Sequence, residues 1–203
     1  MLDCLITQPQ GVLRQQVLTW LNSNVPSPRV AHSLRVEAMA IELAQHHGLD
    51  REQAAQAGLM HDLAKYFKPE ALLAMARGAG LPIDPVDEAN PHLLHADISA
   101  LVARRQFGVD DAAILAAIAN HTLGRPAMDD LSCIVFLADS LEPGRGQTPK
   151  LNHLRQLSDQ NLAIAVYHTC DHTLAGLIDK GRTIHPRAVL TRNWFLASSR
   201  STS

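Results

Sequence analysis

The stretch AGLMHDLAKYF, residues 57–67, sets His61 and Asp62 side by side in an otherwise apolar, alanine-rich run and follows them three residues later with Lys65. A buried polar group without a partner costs kilocalories, and a buried charge costs more unless it is paired or holds a metal. These three side chains therefore read either as a solvated helix face or as part of a site. Four further residues carry the same chemistry in comparable surroundings: His32 in SPRVAHSLRVEAMA, His95 in LLHADISA, His121 in AIANHTLG and Asp139 in FLADSLEPGR. Each sits among Ala, Leu or Ile, which turns it toward an interior. Neutral imidazoles and ionised carboxylates suit a first-row divalent cation, and the cation removes the burial penalty of both. Neighbouring helical residues point about 100° apart, so His61 and Asp62 can approach one ion from a shared edge. Lys65 lies one turn beyond on the same face. His32 and Asp139 are the candidates to complete a two-histidine, two-carboxylate shell.

The other histidines have plainer readings. His46 and His47 precede Gly48, where an imidazole complements the helix dipole. His168 and His172 have a metal-compatible i, i+4 spacing but only Cys170 and Asp171 nearby, which favours a partly exposed helix face. His92 and His153 read as surface residues near helix starts.

Helices must position these groups, and nearly every segment reads at helical period with Pro or Ser/Asp/Asn openings and Gly closings. Ser27 is expected to cap a helix with Pro28 at its first position, Gly48 to close it, and Val30, Leu34, Ala38 and Ile41 to line its inner stripe. A second helix starts at Asp50, with Gln53 returning a capping-box bond, and runs through the His-Asp pair. Further helices are expected over 69–77, 91–106, 111–122, 130–141, a short piece from 149, 159–180 and 186–195. Aromatic content is 4% and no alternating run appears, so strands are not expected. The result is a compact all-α bundle with loops at GLPIDPVDEANP and EPGRGQTP. It is read as a single domain over residues 1–203, with a core of about 26–195, an N-terminal helix packed on it and a disordered tail at 197–203.

Composition narrows the class. Hydrophobic residues make up 46% and charged residues 19% of 203, a globular balance. Lys plus Arg (18) against Asp plus Glu (20) leaves a net charge of −2 without runs of like charge, so no nucleic-acid surface is advertised, while a local basic pocket for phosphate stays open. Cys4, Cys133 and Cys170 are odd in number and far apart, which suits a reducing cytoplasm. No basic segment leads into an apolar one at the start, and no apolar run reaches about 18 residues, so neither export nor a membrane location is expected.

The ordered set His32, His61-Asp62, Asp139, each in helical sequence, resembles the HD superfamily of metal-dependent phosphohydrolases. SPRVAHSLRVEAMA, AGLMHDLAKYF, LLHADISA, AIANHTLG, DDLSCIVFLADSLEPGR and GRTIHPRAVLTRNWF are similar to its YqeK-type branch, from about residue 26 to 195. The resemblance implies an HD-domain helical bundle that cleaves diadenosine tetraphosphate, or related dinucleoside polyphosphates, symmetrically into two ADP. It implies a divalent metal, iron ahead of manganese, cobalt or nickel, held by His32, His61, Asp62 and Asp139. Arg29, Lys65, His95, His121, Thr122 and Arg145 would meet the phosphates of this or an ADP- or GDP-like nucleotide. Ile184, His185 and Pro186 would face the base or ribose. Asp62, Lys65, His95 and His121 would carry the catalysis.

Hydrolysis of a phosphoanhydride rests mostly on positioning and charge neutralisation. A metal acts as Lewis acid and lowers the pKa of bound water, and Lys65, Arg29 and Arg145 can clamp phosphoryl oxygens. In a two-metal alternative Asp62 bridges ions about 3.5–4 Å apart, with His95 and His121 holding the second. The resemblance favours one ion. Lys65, Arg29 and Arg145 also have a competing reading as ordinary surface charges. Two other functions remain in view: an HD phosphohydrolase for a dNTP, a mononucleotide or a guanosine alarmone, and a nucleotide-binding regulator without turnover. A regulator has no need of Lys65, His95 and His121 together.

Overall fold

The computed structural model describes residues 10–200, and among them there are helices and turns but no strand. The helices in chain order are α1 (Gln10–Asn24), α2 (Ser27–His46), α3 (Arg51–Met60), α4 (Pro69–Gly78), α5 (Pro85–Ala89), α6 (His95–Phe107), α7 (Ala112–Asn120), α8 (Asp130–Leu141), α9 (Pro149–Gln160), α10 (Leu162–Asp179) and α11 (Pro186–Arg200). Short 3₁₀ turns span Pro91–Leu94 and Pro143–Arg145. The all-α expectation holds.

α8 is the axis of the bundle. Leu131 through Ala138 are all buried, the pattern of a helix surrounded by others. α2, α3, α7 and α10 pack around it, and its last turn delivers Asp139. The most extensive helix pairing is α2 on α3, and Gly58 permits it. A Cβ at Gly58 would stand 3.1 Å from the Glu37 Cα and 3.2 Å from the Ala40 Cβ. That close approach brings His32 on α2 opposite the end of α3. α1 packs through Val17 and Leu21, and Arg14 donates to both Glu37 carboxylate oxygens at 2.7 and 2.8 Å.

Several boundaries differ from the sequence expectation, each for a local reason. Pro26, with no side-chain cap, stands in the capping position of α2, and its carbonyl accepts from Arg29 and Val30; Ser27 is already helical. The buried stripe of α2 runs through Val30, Val36, Met39, Ala40 and Leu43, whereas Ala38 is exposed. Asp50 does cap α3, accepting from Glu52 and Gln53 N–H, but the Gln53 side chain reaches Asp111, the cap of α7, instead of returning to Asp50. Gly48 closes α2 as expected, with Leu49 N–H reaching the Ala44 carbonyl at 2.8 Å.

α3 stops at Met60, before the His-Asp pair. The His61 ring takes the Gly58 carbonyl at 2.7 Å, the acceptor a continuing helix would have offered to Asp62 N–H. Residues 61–67 then wind as tight turns, Lys65 N–H to the Asp62 carbonyl among them. The expected 159–180 helix starts later, at Leu162, and the short piece from 149 runs on to Gln160, because Asn161 ends α9 and caps α10 through Ile164 N–H. The loop at GLPIDPVDEANP contains α5, opened by a capping box between Asp84 and Asp87. α11 continues to Arg200, so residues 197–200 of the expected tail are helical; 201–203 and Cys4 lie outside the described residues.

Candidate metal centre

Four imidazoles and two carboxylates from five segments converge at the open ends of α3, α7 and α8. His32 comes from the second turn of α2, His61 and Asp62 from the turn after α3, His95 from the first residue of α6, His121 from the residue after α7, and Asp139 from the end of α8. All but Asp139 are buried, and Asp139 is partly so. His32 Nε2 lies 3.1 Å from Asp139 Oδ1, 3.3 Å from His61 Nε2 and 3.9 Å from Asp62 Oδ2. His61 Nε2 lies 3.6 Å from Asp62 Oδ2 and 3.8 Å from Asp139 Oδ1. On the far side of Asp62, Oδ1 is 3.2 Å from His95 Nε2 and 3.6 Å from His121 Nε2, and those two nitrogens are 3.1 Å apart.

The tautomers follow from the outer ring nitrogens. Nδ1 of His61, His95 and His121 faces the carbonyls of Gly58, His92 and Ile118 at 2.7, 2.6 and 2.8 Å, and Nδ1 of His32 faces Glu142 Oε1 at 3.0 Å. These partners accept only, so each Nδ1 carries the proton and each Nε2 turns a lone pair inward. Among the described residues no N–H or O–H donor reaches His32 Nε2 or His61 Nε2, which leaves two lone pairs facing each other beside two carboxylates. Asp62 Oδ1 is buried without a hydrogen bond. A cation relieves this repulsion: with bonds of about 2.1 Å, neighbouring ligand atoms stand roughly 3.0–3.4 Å apart, close to the separations here.

Two overlapping sets have this spacing, His32 with His61 and Asp139, and His61 with Asp62 and His121. They differ in what else is at hand. His95 Nε2 is met by Lys65 Nζ at 2.9 Å and by the Thr122 hydroxyl at 3.1 Å, so donors already serve that side. The electrostatics agree with ligand roles. Burial pushes His61 down to about 4, with His121 adding to the shift and Asp62 opposing it, so it is neutral near pH 7. Burial alone would raise Asp62 and Asp139, yet the imidazoles gathered around them, His61, His121 and His95 at Asp62 and His32 and His61 at Asp139, favour the carboxylate forms, and both stay ionised.

The family model for the HD domain matches residues 29–144, which include these six residues. The chain belongs to the HD-domain family. It is 33% identical to a Bacillus subtilis protein named symmetrical bis(5'-nucleosyl)-tetraphosphatase, over 92% of this chain and 99% of that one. A Halalkalibacterium halodurans protein of the same name is 32% identical over 90% of this chain and 97% of its own length. A crystal structure from Clostridium acetobutylicum, described as a "predicted HD superfamily hydrolase involved in NAD metabolism", superposes with a TM-score of 0.86 at 33% identity, covering 91% of this chain and 97% of that one.

The remaining residues singled out in the sequence of this HD protein divide into three groups. Arg29 approaches Asp62 Oδ2 at 3.9 Å, and Lys65 approaches Asp62 Oδ1 at 3.8 Å, both partly open to solvent. Arg145 is drawn onto Asp139, donating to its carboxylate and, at 2.7 Å, to its carbonyl. His185 lines a cavity of about 540 Å³ that opens beside Thr122. Ile184 and Pro186 do not line it; Thr183 and Ala188 do. The reason is the turn at the head of α11: His185 Nδ1 accepts from Arg187 N–H, and its Nε2 lies 3.3 Å from buried Asp87. His92 is exposed at a helix start as read, but it also borders the cavity; sequence reasoning passed over Arg182, which borders it too, and Glu142 and Arg35, which hold His32. Arg35 stands three residues after His32, a spacing that puts both on one helical face.

His46 and His47 are structural as read, bonded to Asp159 and to the Ser158 carbonyl. His168 is half-buried and His172 exposed, in neither metal-compatible set. No helix among the described residues is long and apolar enough to cross a membrane.

Proposed function

We propose that this chain is a metal-dependent hydrolase that splits diadenosine tetraphosphate symmetrically into two ADP. The observation that carries the reading is an open-mouthed, largely apolar cavity beside a cluster of ligand atoms, in a chain that matches symmetrical tetraphosphatases along nearly its whole length. His32, His61, Asp62 and Asp139 hold one divalent ion, with iron as the physiological metal. One ion is favoured over two because Lys65 and Thr122 serve the His95 side with donors, while the His32–His61 side has none. When bound, the ion supplies Lewis acidity and lowers the pKa of a coordinated water.

The chain's own groups do the rest. One nucleoside enters the cavity walled by Leu93, Leu123, Leu174 and His185, with Arg182 and His92 at the same cavity. The phosphates then run past Thr122 toward Asp62. Lys65, steadied by His95 Nε2, keeps two N–H donors for phosphoryl oxygens, and Arg29 approaches from the α2 side. His95 and His121 border the path of the phosphates, and His95 Nε2, by accepting from Lys65 and Thr122, orients both donors toward the departing phosphate. Water adds to one of the two central phosphorus atoms, the P–O bond to the bridging oxygen between them breaks, and each half leaves as ADP. Partners are dinucleoside polyphosphates and ADP- or GDP-like nucleotides, without nucleic acid, in the cytoplasm; Cys133 and Cys170 are buried free thiols.

Purified, Fe²⁺-loaded protein incubated with diadenosine tetraphosphate should yield two ADP per substrate and leave dNTPs, mononucleotides and guanosine alarmones largely untouched. AMP plus ATP, or no turnover, overturns the reading. Asp62→Ala should lose both bound metal and activity.

A further inference from the structure

His61, His95 and His121 stand at the ends of α3, the 91–94 turn and α7, where helical carbonyls lack intrahelical partners, and each ties its Nδ1 to the carbonyl three residues before it. His32 cannot do this. It lies in the second turn of a 20-residue helix, where the ladder already uses the nearby carbonyls. Its Nδ1 partner comes from 110 residues away: Glu142 Oε1, at 3.0 Å.

Glu142 is 1% exposed and all its acceptor positions are engaged. Oε1 takes His32 Nδ1 and, at 3.2 Å, one Arg35 NH2 donor; Oε2 takes Arg35 Nε and the Gly144 N–H, each at 2.5 Å. Arg35 lies flat against the 143–145 turn, so that a Cβ at Gly144 would fall 2.6 Å from its guanidinium. The same turn carries Arg145, bonded to Asp139. One short segment therefore grips two of the residues assigned to the ion from behind.

We infer that Glu142, locked by Arg35, is a positioning residue that holds His32 in the Nδ1–H tautomer and so presents its Nε2 to the metal. The inference rests on the metal reading above. A carboxylate behind a ligating histidine fixes ring orientation and raises ligand basicity, and its loss typically costs 10–100-fold in metal affinity. An amide cannot replace it. With its oxygen toward His32, the NH₂ opposes the Arg35 and Gly144 donors; with its NH₂ toward His32, the ring must accept at Nδ1 and move its proton to Nε2, closing the ligand atom.

The test is Co²⁺ affinity of the folded protein, measured by competition with a fluorescent chelator. Glu142→Gln should weaken binding by roughly 10–100-fold and shift the ¹⁵N signals of metal-free His32 toward the Nε2–H tautomer. Arg35→Lys, which keeps charge but loses the fork, should fall between it and wild type. Glu37→Gln is the matched control: Glu37 is also a buried carboxylate of α2 on a bidentate arginine, but it faces Arg14, and its loss should lower stability without moving Co²⁺ affinity. Wild-type affinity in both Glu142→Gln and Arg35→Lys overturns the inference and leaves the metal centre standing. Equal losses in Glu37→Gln and Glu142→Gln reduce Glu142 to a general structural role and also overturn it. Wild-type protein that binds no Co²⁺ overturns the metal reading itself. If Glu142→Gln does not fold, Arg35→Lys decides alone.

Discussion

Replacing Gly124 by alanine should destabilise the protein by about 3 kcal/mol while leaving the metal centre intact. Gly124 follows His121 and Thr122 in the loop that faces α11, and its backbone has φ +61. An L-residue there costs about 1–2 kcal/mol. A Cβ would also stand 2.5 Å from Thr191 Cγ2, where carbon atoms need about 3.5–4 Å. Thr191 has no room to withdraw: it is 0% exposed, and its hydroxyl donates to the Leu123 carbonyl at 3.0 Å and the Arg187 carbonyl at 2.9 Å. Overpacking of this kind adds about 1–3 kcal/mol. For a chain of this size the sum corresponds to a melting temperature lower by about 6–12 °C. The clash can be isolated because Thr191→Ser removes the methyl and keeps both hydrogen bonds. In urea denaturation, Gly124→Ala with Thr191→Ser should be more stable than the sum of the single changes by about 1–3 kcal/mol. Additivity within about 0.5 kcal/mol, or a Gly124→Ala protein as stable as wild type, would refute the packing argument. α11 and the 122–124 loop share a wall of the cavity, so the single variant should also raise KM for the dinucleotide more than it lowers metal content.

Two further outcomes follow from the same geometry. Lys65→Ala should keep its metal, because Lys65 ligates nothing, but lose about 10²–10³-fold in kcat as one preorganised donor disappears; a loss confined to KM would place Lys65 in ground-state binding. Cys170 is pushed up to about 12 by burial first and by Asp171 second. Its neutral thiol therefore contributes stability that is complete below the unfolded value of about 9 and is lost as pH rises from there toward 12. Urea titrations between pH 7 and 10.5 should show this alkaline decline flattened in Cys170→Ala, and the native thiol should resist alkylation at pH 8; rapid alkylation would contradict the burial.

Much of the fold and of the centre is legible along the chain. Helix starts at Asp50 and Asp111, and the closing Gly48, are local chemistry, so residue type and spacing suffice. His32, His61, Asp62, His95, His121 and Asp139 stand out because ionisable groups in apolar helical sequence require a partner, whatever the fold. The failures are equally specific. The inner stripe of α2 is displaced from Leu34 and Ala38 toward Val36, Met39 and Ala40, since period alone gives a face but not the neighbour it meets. The end of α3 falls at Met60 because an imidazole competes for a carbonyl, which no propensity registers.

The sequence by itself thus determined the helical class and the identity of the groups that gather at the centre, because both depend on near-neighbour periodicity and on the cost of burying charge. Only the tertiary structure decided which groups stand behind them. Glu142 meets His32 across 110 residues, Asp87 meets His185, and the cavity wall is assembled from α8, α10 and the segments around 90–93 and 182–188. Those pairings depend on which helix faces come together, and that is set by the joint packing of all the helices around α8 and not by any one stretch of chain.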